Sequence, residues 1–137
     1  TNKLWNIGRF IDIKRKEGNY ESGIMNQEGL EELTNHENDK EIVREVQKLI
    51  KTVTDDLESY NFNHAAETLY DFIWHTFADK YIEDVKNRID KNSYLILHNL
   101  YLIILQLLHP FMPFVTEEIY QRLEGKESIM ISQWPKT

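Results

Sequence analysis

The sequence predicts an all-α fold, a helical bundle of about five helices with one long acidic loop and a short extended C-terminal strap. Three observations carry that reading. Apolar residues recur at three- and four-residue spacing through long segments. Capping residues and prolines fall between those segments. No parallel-strand pattern, internal repeat or low-complexity tract interrupts them. At 137 residues the chain makes a single domain, 1–137, long enough to bury one core.

The first helix is expected over Trp5 to Lys16. At 100° per residue Leu4, Ile7, Gly8 and Ile11 share one side, and Asn6, Arg9, Ile13 and Lys16 share the other. Trp5 and Phe10 flank the two faces. Glu17 to Asn38 holds three of the five glycines, many acids and few large apolar residues. It reads as a long mobile loop with a helical turn at "LEELT". "NDKE" then gives Asn38 three residues before Glu41, the signature of a capping box. The second helix follows over Lys40 to Tyr60, its buried stripe running Ile42, Val43, Val46, Leu49, Ile50, Val53, Leu57 and Tyr60.

The third and longest helix is expected from Asn63 to Ile89, with Ala66, Leu69, Ile73, Phe77, Tyr81 and Val85 as its main stripe. Ser93 to Leu108 is apolar nearly all round, which places the fourth helix at the centre of the bundle. "LLHPFMPFVTEEIY" then turns a corner. Pro110 disfavours helix at His109, and Pro113 suits the first turn of a fifth helix. Glu117 and Glu118 lie near that helix's positive end, with Phe114, Val115, Ile119 and Leu123 as its buried side. "SIMISQWP" is expected to cross the bundle as a strap.

The net charge of −7 argues against a nucleic-acid partner until its distribution is considered. Seven acids and no Lys or Arg fall between Glu17 and Asp39, and elsewhere sixteen bases balance sixteen acids. The first sixteen residues carry +4. The absence of cysteine excludes disulfides, thiolate metal sites and cysteine nucleophiles. No apolar run approaches the ~20 residues of a membrane span, and no signal peptide is evident. A start without Met, inside a helix, reads as a piece of a longer polypeptide.

A search for catalytic chemistry finds little. His64 and His75 lie too far apart for shared metal ligation, and no Gly-rich phosphate loop occurs. Glu117 and Glu118, like Asp55 and Asp56, are adjacent and point apart. No nucleophile, base and orienter assemble, so neither a catalytic residue nor a metal site is expected.

"KLWNIGRF", "YNFNHAAETLYDFIWHTFADKYIEDVK" and "LLHPFMPFVTEEIYQRL" through "SIMISQWP" together resemble the anticodon-binding helical domain of the class I aminoacyl-tRNA synthetases for Val, Ile, Leu and Met. The opening and the ending most resemble the valyl branch. "NDKEIV" and the acidic stretch before it depart from the valyl pattern. The family's ATP-site signatures, His-Ile-Gly-His and Lys-Met-Ser-Lys-Ser, are absent. The resemblance therefore implies a tRNA-reading module without a cofactor of its own, with ATP and Mg confined to the catalytic domain of the same polypeptide. It implies a monomeric, cytoplasmic enzyme with no membrane partner.

Unpaired anticodon bases can be hydrogen-bonded at their edges and stacked on their faces. In the family the first helix and the far end of the long third helix face the anticodon loop. That makes Asn6, Arg9, Phe10, Lys16, Lys86 and Arg88 the candidate tRNA-binding residues. Arg9 has an alternative role as an ion-pair partner of Asp12, Trp5 and Phe10 as core residues rather than base platforms, and Lys86 and Arg88 as a solvated helix end. Leucyl or isoleucyl specificity is the runner-up. A structural or protein-interaction bundle without RNA binding is the alternative from another class. Exposure of Asn6, Arg9 and Lys16 favours RNA, and their burial beneath the acidic segment favours the scaffold.

Overall fold

A computed structural model describes residues 2–20, 27–34, 36–124 and 134–135. Among them six helices form the bundle: α1 (Asn2–Gly18), α2 (Gln27–Leu33), α3 (Glu37–Glu58), α4 (62–85), α5 (Lys91–Leu108) and α6 (Pro113–Glu124). α5 is central. It touches every other helix, and thirteen of its eighteen residues are buried, as an apolar helix with no polar face requires. Its start is set by Asp90, whose carboxylate accepts from the Ser93 backbone N–H at 2.8 Å while the Ser93 hydroxyl accepts from the Asp90 N–H at 2.8 Å.

The buried side of α1 is Leu4, Ile7, Gly8 and Ile11, the side expected from its periodicity. Gly8 lets α1 approach closely, since a Cβ there would stand 3.2 Å from Ile119 Cγ2 on α6 and 3.7 Å from Tyr101 Cε2 on α5. The Tyr101 hydroxyl adds a bond to the Leu4 carbonyl.

Several expected boundaries move. α3 begins earlier, because His36 rather than Asn38 caps it, its ring accepting from the Asn38 N–H at 3.1 Å. It also ends earlier. Tyr60 adopts a left-handed φ of 59° and is 80% exposed, so it leaves the buried stripe. Within the acidic segment the described residues contain α2, longer than a single turn. Its Leu30 is fully buried, and α2 packs on α3 and α5. Phe114, expected inside, is 89% exposed. It lies five residues, about 140°, from buried Ile119 on an α-helix, whereas Thr116, Ile119 and Tyr120 turn inward.

α4 is α-helical over Phe62–Asp71 and Glu83–Val85 and π-helical over Phe72–Ile82. The sequence contains the reason. From Leu69 the stripe advances by fours through Ile73, Phe77, Tyr81 and Val85, all buried. At 3.6 residues per turn each such step overshoots by about 40°, and four steps carry the stripe about 160° around the helix. Wider i→i+5 turns cancel that drift and hold Phe77 against Tyr101, rings 6.2 Å apart.

At the proline corner, Phe111 and Met112 both donate to the Leu108 carbonyl, at 2.9 and 3.0 Å. Buried Thr116 donates to the Met112 carbonyl at 2.8 Å and meets His109 Nδ1 at 3.0 Å. Of the expected strap, only Trp134 and Pro135 are described. Trp134 Nε1 donates to Thr54 Oγ1 of α3 at 2.8 Å. The remainder of "SIMISQWP", and residues 21–26 of the acidic segment, lie outside the described residues. No described helix is long and apolar enough to cross a membrane.

Candidate nucleic-acid interface

Asn6, Arg9, Ile13 and Lys16 form the outward stripe of α1, and all four are exposed. Asp12 decides which of the neighbouring cations are neutralised. It takes Arg15 at 3.0 Å and Lys16 at 3.2 Å. Burial pushes its carboxyl up, but the hydrogen bonds from Arg15 and Lys16 outweigh that and hold it below the usual carboxylate range. Arg9 therefore lacks the Asp12 pairing and has no ion-pair partner among the described residues. Lys16 is exposed but shared with Asp12.

Phe10 joins α1 to the end of α4. Its half-buried ring has the Lys14 ammonium 5.7 Å from the centroid and the Lys86 ammonium at 6.0 Å, within cation–π range. Each ammonium also meets a carboxylate, Lys14 with Glu17 at 3.2 Å and Lys86 with Glu83 at 2.9 Å. An aromatic ring with two ammonium groups about 6 Å from its centroid can stack a base and hold its phosphates. Lys14 contributes here although periodicity alone did not single it out.

Arg88 is placed differently. Its guanidinium is enclosed, with the side chain 23% exposed. It donates to Asp84 through Nε at 2.8 Å and Nη2 at 2.6 Å, and to Asp39 through Nη2 at 2.8 Å and Nη1 at 3.4 Å. The Tyr81 hydroxyl donates to the same Asp39 at 2.9 Å. Burial works against the charge on Arg88, yet the bonds to Asp39 and Asp84 more than compensate and keep it firmly protonated. Its bond lowers the Asp84 carboxyl against an opposing contribution from burial. Burial raises the Tyr81 phenol, and the Asp39 charge raises it further. With these donors committed, Arg88 clasps the start of α3 to the end of α4 and fixes the turn that carries Lys86. Lys86, two residues earlier, turns instead to the Phe10 ring.

A second cation–aromatic contact flanks α1 on its other side. The Arg122 guanidinium of α6 lies 5.0 Å from the Trp5 ring centroid, over a groove shared with Gly8, Arg9, Asp12, Ile119 and Leu123. The sequence carried no signal for this pairing, because it depends on how α6 crosses α1.

Comparison with known proteins agrees with this architecture. The family model for the anticodon-binding domain of tRNA ligase matches residues 39–137. The chain is similar to the valine–tRNA ligase of Pseudothermotoga lettingae, 40% identical over 141 residues, covering 99% of this chain and 15% of the relative. It is also similar to that of Thermotoga maritima, 39% identical over 144 residues (99% and 15%), and that of Carboxydothermus hydrogenoformans, 42% identical over 144 residues (99% and 16%). These similarities take in α1, which precedes the family match. The chain thus spans about 15% of the length of these relatives. With a family match over most of its length, and the helical bundle that the match calls for, the chain belongs to the anticodon-binding domain family of tRNA ligases.

Proposed function

We propose that this domain reads the anticodon loop of a valine tRNA, positioning the tRNA for ATP-dependent aminoacylation by a catalytic domain outside this chain. ATP and Mg belong to that domain in this reading, and the whole enzyme is a cytoplasmic monomer. The observation that carries the proposal is the half-buried Phe10 ring with the Lys14 and Lys86 ammonium groups about 6 Å from its centroid, which joins α1 to the residue after α4. The exposure of Asn6, Arg9 and Lys16 favours RNA over a purely structural bundle, and the similarity to valine–tRNA ligases favours valine over leucine or isoleucine.

Fluorescence anisotropy with dye-labelled anticodon stem-loops of valine, isoleucine and leucine tRNAs tests this directly. Phe10→Leu should weaken binding about tenfold, since stacking on one base contributes ~1–3 kcal/mol. Lys86→Gln should flatten the salt dependence, because one fewer counterion is released. Equal affinity for a plain duplex of the same length, or undiminished binding by both variants, would refute the assignment. Preference for a leucine or isoleucine loop would overturn the valine identity alone.

A further inference from the structure

The groove between α1 and α6 lies on the opposite flank of α1 from Phe10, and the reading above does not use it. Trp5, Gly8, Arg9, Asp12, Ile119, Arg122 and Leu123 line it. Ile119 and Leu123 give it apolar lining, Arg9 and Arg122 bring guanidinium groups, and the Asp12 carboxylate that also lines it is already paired with Arg15 and Lys16. Arg9 has no ion-pair partner among the described residues. Arg122 is 69% exposed at its side chain and holds Glu118 only at 3.6 Å. Its guanidinium is set against the Trp5 indole at 5.0 Å. The groove encloses about 130 Å³, the scale of a ~150 Å³ cavity that accepts one benzene-sized ring.

We infer that this groove is a second RNA subsite, which takes one splayed-out nucleotide next to those held at Phe10. Its base stacks on Trp5 and Arg122, and its phosphate is held by Arg9. The chemistry is that of a single unpaired nucleotide. An indole and a planar guanidinium stack any base, and a guanidinium fork holds a phosphate in two-point geometry. Trp5 and Phe10 stand about 140° apart around α1, with Arg9 between them. A strand crossing the helix can therefore engage both aromatic groups while its backbone passes Arg9. This inference rests on the proposed RNA-binding face and extends it onto α6.

The test uses the 137-residue chain and the valine-tRNA anticodon stem-loop, with four groove variants and Phe10→Leu in one anisotropy series. Arg122→Gln should weaken binding about fivefold or more, and Arg122→Lys should recover only part of the loss, because the ammonium is not planar. Trp5→Phe should retain more affinity than Trp5→Leu. Arg122 is exposed, so loss of folding does not complicate the Arg122→Gln result. Binding by Arg122→Gln equal to wild type, with Phe10→Leu still impaired, would assign the groove to a protein contact and overturn the subsite while leaving the anticodon reading intact. No hairpin binding by the wild-type chain would overturn both.

Discussion

Replacing Arg88 by Met should destabilise the fold without removing an RNA contact. The substitution leaves Asp39, 4% exposed, with the Tyr81 hydroxyl as its remaining side-chain donor among the bonds described. Removing one partner of a fully buried ion pair costs about 3–5 kcal/mol. Arg88 reaches solvent at its edge, so water can partly replace it, and about 2–3 kcal/mol is the appropriate figure. For a domain of this size each kcal/mol shifts Tm by roughly 4 °C, giving a loss of about 8–12 °C. Adding Asp39→Asn to Arg88→Met should recover part of the loss, because the buried charge disappears with its partner. The effect should also depend on pH. The folded Asp84 carboxyl lies below its unfolded value of ~3.9, so its contribution is present above that pH and lost as pH falls through the lowered value. The difference in Tm between wild type and variant should therefore narrow below about pH 4. Thermal unfolding followed by circular dichroism gives these values, and anisotropy below Tm gives RNA affinity. An unchanged Tm together with a tenfold loss of RNA binding would make Arg88 a ligand of the anticodon loop and refute the clasp.

Two further outcomes follow from the packing. Gly8→Val adds methyl groups where a Cβ alone would lie 3.2 Å from Ile119, and should destabilise by about 1–3 kcal/mol in thermal denaturation through overpacking; a Tm at or above wild type would show that α6 yields freely. Burial raises the phenols of Tyr81 and Tyr101, and Asp39 raises Tyr81 further, so their stabilising effect is complete below the unfolded value of ~10 and erodes as pH rises beyond it. Phenolate absorbance should show these two of the seven tyrosines ionising only as the alkaline protein unfolds, and joint titration of all seven in a folded protein would contradict this.

What the sequence revealed follows the range of the forces involved. The two faces of α1 and the central position of α5 come from local periodicity, which a single sequence displays directly. The corner at Pro110 and Pro113 is equally local, because proline lacks the N–H that would extend the helix, although His109, expected to leave the helical region, keeps helical angles of φ −52° and ψ −42°. The α3 cap was misplaced by two residues, since His36 competes with Asn38 and only geometry selects between them. Phe114 was assigned to the core on hydrophobicity although its angle from Ile119 points outward. Arg88 reads as a tRNA contact or a solvated cation at a helix end, because its partner Asp39 lies 49 residues away. The contact of Arg122 with Trp5 spans almost the whole chain and left no pattern to read. For the candidate interface, the exposed positions on α1 were legible, whereas the pairings that free Arg9 and enclose Arg88 were not.

The π-helical run of α4 changes how that helix can lose residues. Deleting one residue from α5 would rotate everything beyond the deletion by about 100° and turn the inward-facing side chains of a fully enclosed helix away from their partners. Between Phe72 and Ile82 the wider turns hold surplus backbone. A single deletion there can be absorbed as i→i+5 bonds shorten to i→i+4, with Phe62–Asp71 and Glu83–Val85 kept in register on either side. Length variation among chains of this architecture is therefore better tolerated in the middle of α4 than in the helix it packs against.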